Sequence, residues 1–284
     1  MLAATIGLLP LRWVRWPAAA LGWMVLHVLR IRSAHALQCI ERARLHPAPE
    51  IAASAYRSLA HVVFEFLWLS GQRSSVLRPL VQIDPGDWQR LRACLARGRG
   101  LVVASAHTGN WDLAACALAS EVNLAIVSRH MSWRSADRFW QRARQARGVS
   151  VLQGHGVLRE AGAHLSRGGV VAFMIDQAPQ RDRGVVIADF LGAPAAHDLS
   201  FALLAARSRA PVALVLDERL PDGRHKLHVP LVVDATTCAS REAAVETCLR
   251  VVAELERFVR AHAGQWLWLH RRWKRPFGQG TVGM

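Results

Sequence analysis

Lysine is nearly missing from this chain. Of 36 basic residues only Lys226 and Lys274 are lysines, so the rest are arginines, and 21 acidic residues leave a formal net charge of +15. Chains this basic meet polyanions: nucleic acid, acidic substrates or an anionic membrane surface. Guanidinium forks suit phosphates in particular, although a bias of composition towards Arg and Ala gives the same numbers. Cysteine is also scarce. Cys39, Cys94, Cys116, Cys238 and Cys248 form no CxxC pair and are odd in number, which argues against a disulfide framework or a structural zinc site and suits a reduced compartment. There are no repeats and no low-complexity linkers, and with 52% apolar residues the chain is not a disordered one.

Long apolar runs are lacking too. Nothing in the first thirty residues resembles a cleavable signal peptide, and Arg12-Trp13-Val14-Arg15-Trp16-Pro17 interrupts the apolar stretch there. The next run, AAALGWMVLHVL, makes roughly 18 Å of helix against a hydrocarbon core of about 30 Å. Arginines among Trp13, Trp16 and Trp23 suit an anchor lying at an anionic membrane surface, indoles at headgroup depth and guanidiniums on phosphates; a buried helix pair is the other reading. The expected organisation is therefore a membrane-associating helical segment over 1–45 and a single catalytic domain over 46–284.

Periodicity predicts helices over 36–46 and 51–70, with a break at His46-Pro47-Ala48-Pro49-Glu50. From residue 101 the pattern alternates. Strands are expected at 101–106, 124–127, 149–152, 169–175, 211–216 and 227–233, and helices at 111–120, 134–146, 157–166 and 241–263. Strands alternating with helices imply an α/β fold with a mostly parallel sheet flanked by helices, whose sites gather at the carboxyl ends of the strands.

At the first such end stands Ala104-Ser-Ala-His107-Thr-Gly-Asn110-Trp-Asp112. On a regular helix five residues leave two side chains roughly 140° apart, so His107 and Asp112 share no helical face. They can meet if His107 sits in the loop, Gly109 makes the bend, Asn110 caps and Asp112 lies in the first turn. The carboxylate would then hold the imidazole tautomer while the other nitrogen takes a proton from a hydroxyl. No GxSxG elbow accompanies the pair, so a substrate hydroxyl or water would attack directly. A second apolar strand ends in Asp176-Gln177, which can orient a catalytic loop, neutralise an arginine or merely cap. Arg134, Arg138, Arg142, Arg144 and Arg147, with Arg129 before them, either form a solvated face or hold a phosphate or phosphopantetheine. The closing Gln265-Trp-Leu-Trp-Leu-His-Arg-Arg-Trp-Lys274-Arg275 suits nucleic acid, a membrane or core packing.

His-Thr-Gly-Asn-Trp-Asp at 107–112, Asp176-Gln177, Phe190-Leu-Gly-Ala-Pro194 and the closing tryptophan–arginine run together resemble the bacterial lipid A biosynthesis acyltransferases, the lauroyl and myristoyl transferases of the wider lysophospholipid acyltransferase superfamily. The resemblance covers roughly residues 50–276. It implies transfer of a fatty acyl group from an acyl-carrier-protein thioester to a hydroxyl of a lipid A precursor, at the cytoplasmic face of the inner membrane. His107 would be the base and Asp112 its partner. Asn110, Arg129, Arg144, Asp176 and Gln177 would contact substrate, Arg144 lying where the family tends to carry an arginine ahead of a glycine, here Gly148. No metal and no cofactor are implied beyond acyl-ACP or acyl-CoA as co-substrate. The expected partners are acyl carrier protein, a lipid acceptor and the anionic membrane surface, and not nucleic acid. The first motif departs from the family in its acid, Asp where the lipid A enzymes usually have Glu, and the Pro-Glu-Gly segment of the glycerophospholipid enzymes is absent. A lysophospholipid acyltransferase, a hydrolase and a non-catalytic basic binding protein are the alternatives.

Overall fold

The structure, a computed structural model, describes residues 2–180, 182–234 and 240–273. Arg181, Cys238, Lys274 and Arg275 lie outside the described residues. In chain order the elements are α1 (Leu2–Gly7), α2 (Leu11–His27), α3 (Ser33–Arg42), α4 (Ala48–Ser70), α5 (Leu77–Leu80), β1 (Val81–Ile83), α6 (Pro85–Leu95), β2 (Leu101–Ser105), α7 (Trp111–Ala119), β3 (Leu124–Val127), α8 (Arg134–Gln145) and β4 (Ser150–Leu152). Then come α9 (Val157–Ser166), β5 (Val170–Met174), β6 (Val185–Phe190), β7 (Ala193–Asp198), α10 (Ser200–Ser208), β8 (Val212–Arg219), β9 (His225–Val233) and α11 (Arg241–Ala261).

Seven strands form one sheet in the order β1-β9-β8-β2-β5-β3-β4. The run from β8 to β4 is parallel, β9 turns back antiparallel to β8, and β6 with β7 forms a separate antiparallel hairpin. The α/β reading with a mostly parallel sheet is therefore right. The central strands are apolar throughout because both faces are covered. In β2, Val102 and Ala104 pack into one core with residues of α9, α10 and α11, while Leu101 and Val103 pack into the other with residues of α7. Helix α4 serves both, Ala52, Ala55 and Tyr56 in the first and Phe66 and Leu69 in the second.

Helix α2 lies on α4 through a small-residue face of Val14, Ala18, Gly22 and Leu26. A Cβ on Gly22 would come within 2.7 Å of the Arg57 backbone, so this close crossing requires glycine. The opposite face leaves Trp13, Trp16 and Trp23 59%, 80% and 60% exposed. Among the described residues no helix is long and apolar enough to cross a membrane. Residues 81–95, 185–198 and 200–208, which carry no clear periodicity, form β1 and α6, the hairpin, and α10.

Candidate active site

Register builds the site. Ser105 at the end of β2 stands opposite Met174 at the end of β5, and two residues beyond each come His107 and Asp176. On the other side Ala104 stands opposite Leu214 of β8, and three residues beyond each come His107 and Asp217. Three neighbouring parallel strands thus bring His107, Asp176 and Asp217 to one edge of the sheet.

The Asp176 carboxylate takes His107. Its Oδ1 lies 2.8 Å from His107 Nδ1, and its Oδ2 accepts from the His107 backbone N–H at 2.9 Å and from the Trp266 indole at 2.9 Å. Burial favours the neutral acid, but the charge and hydrogen bonds of His107, with the Trp266 N–H, hold Asp176 down at about 2. An ionised Asp176 accepts at Nδ1 and so fixes the proton there, which leaves Nε2 as the basic nitrogen. The Gln177 side-chain amide lies 3.4 Å from Nε2, and the Trp111 ring meets the imidazole edge-on at 4.7 Å. The imidazole retains some exposure, at 15% of its side chain, while Asp176 is closed off.

Asp112 is not the partner of His107. Its Oδ1 accepts from Arg144 Nε at 2.7 Å and its Oδ2 from Trp140 Nε1 at 2.7 Å, which turns the carboxylate towards α8. The local reason is the cap. Asn110 Oδ1 accepts from the Leu113 N–H at 3.2 Å and starts α7, so Asp112 projects from the first turn away from the loop. Arg144 accordingly serves as the buried counter-ion of Asp112, bonded also to Gln141 at 3.1 Å, rather than as a free substrate contact. Asn110 is fully buried as well. Its amide donates to Glu65 at 3.0 Å and its backbone N–H to Asp217 at 2.5 Å, so it ties the loop down and does not face substrate.

A second buried cluster, missed in the sequence, supports that loop. His225 lies between Asp217, at 2.7 Å, and Glu65, at 3.5 Å, and Arg219 bridges Glu65 and Ser58. Gly109 holds φ of +55° with the Asp217 carboxylate and backbone where a Cβ would stand, so only glycine passes. Asp217 follows directly on the apolar run 212–216, as Asp176 follows the apolar run 170–175, and that is the available signal. Trp266 is the other omission: its segment docks on the loop, bridging to Thr108, with the Gly109 N–H donating to Gln265 O at 3.3 Å. Arg129 has no hydrogen bond or ion pair on its guanidinium among the described residues, and lines a cavity beside the site.

The architecture and the site define a class: an α/β protein with a carboxylate-held histidine at the carboxyl edge of a parallel sheet. The chain belongs to the bacterial lipid A biosynthesis acyltransferase family, whose model matches residues 1–275. The family makes it an acyltransferase. No curated protein matches the chain closely enough for comparison.

Proposed function

We propose that the protein transfers a fatty acyl group from an acyl-carrier-protein thioester to a hydroxyl of a lipid A precursor, with His107 as general base and Asp176 as the group that orients it. The observation that carries this reading is the Asp176–His107 bond at 2.8 Å, which leaves Nε2 basic and turned away from its partner. The acceptor O–H gives its proton to Nε2 while its oxygen attacks the thioester carbonyl. Collapse of the tetrahedral intermediate breaks the C–S bond, and the thiolate leaves with the proton from the imidazolium. A thioester is already activated, so no enzyme nucleophile is needed. The cysteines suit this: Cys39, Cys94, Cys116 and Cys248 are buried, and burial pushes the Cys116 and Cys248 thiols up to about 12, keeping them protonated.

Work at a membrane surface fits the exposed face of α2. Trp13, Trp16 and Trp23 stand out there with Arg12, flanked by exposed Leu8, Leu9, Val28 and Leu29. Such a patch lies in the headgroup layer without spanning it, which in this reading is the cytoplasmic face of the inner membrane. The test is reconstitution of purified protein with acyl-ACP and a lipid A precursor, products read by mass spectrometry. Acylation by the wild type and its loss in His107→Ala support the reading; an active His107→Ala contradicts it.

A further inference from the structure

Beside the site lies a cavity of about 580 Å³ whose walls come from the α2–α3 connection, the stretch after β3, residues 178–180, β7 and residues 270–273. Its charged lining is of one sign. Arg32, Arg129, Arg271 and Arg272 contribute to it together with His270, and among the described residues no carboxylate does. Four guanidiniums around one hollow repel each other unless an anion or water screens them.

Their bonding separates them into two kinds. Arg272 is buried and held by the protein through its two Nη atoms: it donates to the carbonyls of Gln177 and Ala196 and meets His197 at 2.8 Å. It therefore bolts the cavity wall to the strand end that carries Asp176. Arg129 and Arg271 are exposed, and among the described residues neither guanidinium has a partner. Arg32 uses one Nη on Leu269 O at 2.9 Å and holds a left-handed φ of +55°, a conformation that favours glycine. Further polar atoms on the same wall are buried without partners, namely Arg272 Nε, His270 Nδ1 and Trp273 Nε1. Burial and the neighbouring cations hold His270 down at about 4, so at neutral pH it adds polarity but no charge.

We propose that this cavity binds a phosphoryl group carried by one of the two substrates, with Arg129 and Arg271 as its principal ligands and Arg32 behind them. Bidentate guanidinium contacts match phosphate oxygens in geometry and charge. The volume exceeds what a bare phosphate fills and is of the size that takes a small ligand, about 300–1,000 Å³, so the group enters with the sugar or pantetheine arm attached to it. The cavity begins where Gln177, which touches His107, gives way to residues 178–180. A phosphate held there sits on the segment that follows Gln177, next to the base. This deepens the acyltransferase reading and rests on it for the word substrate, but not for the binding itself.

The test is equilibrium binding by calorimetry on the full chain, with two pairs of soluble probes: 4′-phosphopantetheine against pantetheine, and a hexosamine phosphate against the free hexosamine. The expected result is that one phosphorylated probe binds about tenfold or more tighter than its unphosphorylated partner. The double variant Arg129→Gln/Arg271→Gln should erase that difference, and Arg129→Lys/Arg271→Lys should restore part of it. Both positions are exposed, so the variants keep the fold. The pantetheine pair showing the difference assigns the cavity to the donor, and the hexosamine pair assigns it to the acceptor. No difference in either pair, or a difference that survives the double Gln variant, overturns the proposal. Because no turnover is measured, a protein that binds phosphate yet transfers no acyl group overturns only the functional reading.

Discussion

Two histidine–aspartate pairs stand side by side in this fold and have opposite uses. His107–Asp176 and His225–Asp217 are bonded at nearly the same distance, 2.8 and 2.7 Å. His225 has no exposure and carboxylates on both sides, so neither ring nitrogen is open to a substrate. Burial disfavours its charge, but Asp217 and Glu65 outweigh burial and raise it to about 9. At neutral pH it is a cation in a buried network. His107 has one carboxylate, on Nδ1, keeps 15% of its side chain exposed, and meets at Nε2 the neutral Gln177 amide at 3.4 Å. A short His–Asp bond therefore does not identify a base; the state of the second nitrogen does.

The largest effect expected from breaking this contrast is on rate. His107→Ala should cut acyl transfer by about 10²–10⁴-fold or more, the range of general-base catalysis, with the thermal midpoint nearly unchanged; Asp176→Asn should behave much the same. Asp217→Asn should act on stability instead. It strips the charged partner from a buried imidazolium and should cost about 3–5 kcal/mol in denaturant titration.

Buried Asp112 and Arg144 offer a finer comparison. Either single neutralisation leaves the other charge unpaired, so the double variant Asp112→Asn/Arg144→Gln should be less destabilised than the sum of the singles by about 1–3 kcal/mol. Additive losses would mean the two do not act as a pair. In pH, His225 is raised from 6.5 to about 9, so its contribution is whole below 6.5 and lost as pH climbs through about 9. Wild-type thermal stability should fall across that window, and His225→Gln should lack this fall. The smallest effect is at Trp266. Trp266→Phe removes one hydrogen bond from Asp176, worth about 0.5–1.5 kcal/mol beside the packing lost from a buried ring, and should lower acyl transfer slightly.

The elements around this site were legible in sequence because the chemistry is punctuated. Leu101–Ser105 and Val170–Met174 are apolar runs that stop at an acid or a histidine, and a capping residue such as Asn110 marks the start of its helix. The pairing was not legible. His107 and Asp112 are neighbours in sequence, whereas Asp176 reaches His107 only through the register of β2 on β5. Local spacing allowed the nearer acid, and two donors on α8, Trp140 and Arg144, claimed it. The cavity was hidden for the same reason, since Arg32, Arg129 and Arg271 are distant in sequence and converge only in the fold.

The mechanism stands or falls on whether Asp176, and not Asp112, sets the tautomer of His107 and leaves Nε2 unprotonated. Nitrogen-15 NMR of histidine-labelled protein at neutral pH reads this directly. The expected His107 signal is protonated at Nδ1 and unprotonated at Nε2, retained in Asp112→Asn and lost to a mixture of tautomers in Asp176→Asn. A wild-type His107 protonated at Nε2, or a tautomer that changes with Asp112→Asn and not with Asp176→Asn, would contradict it.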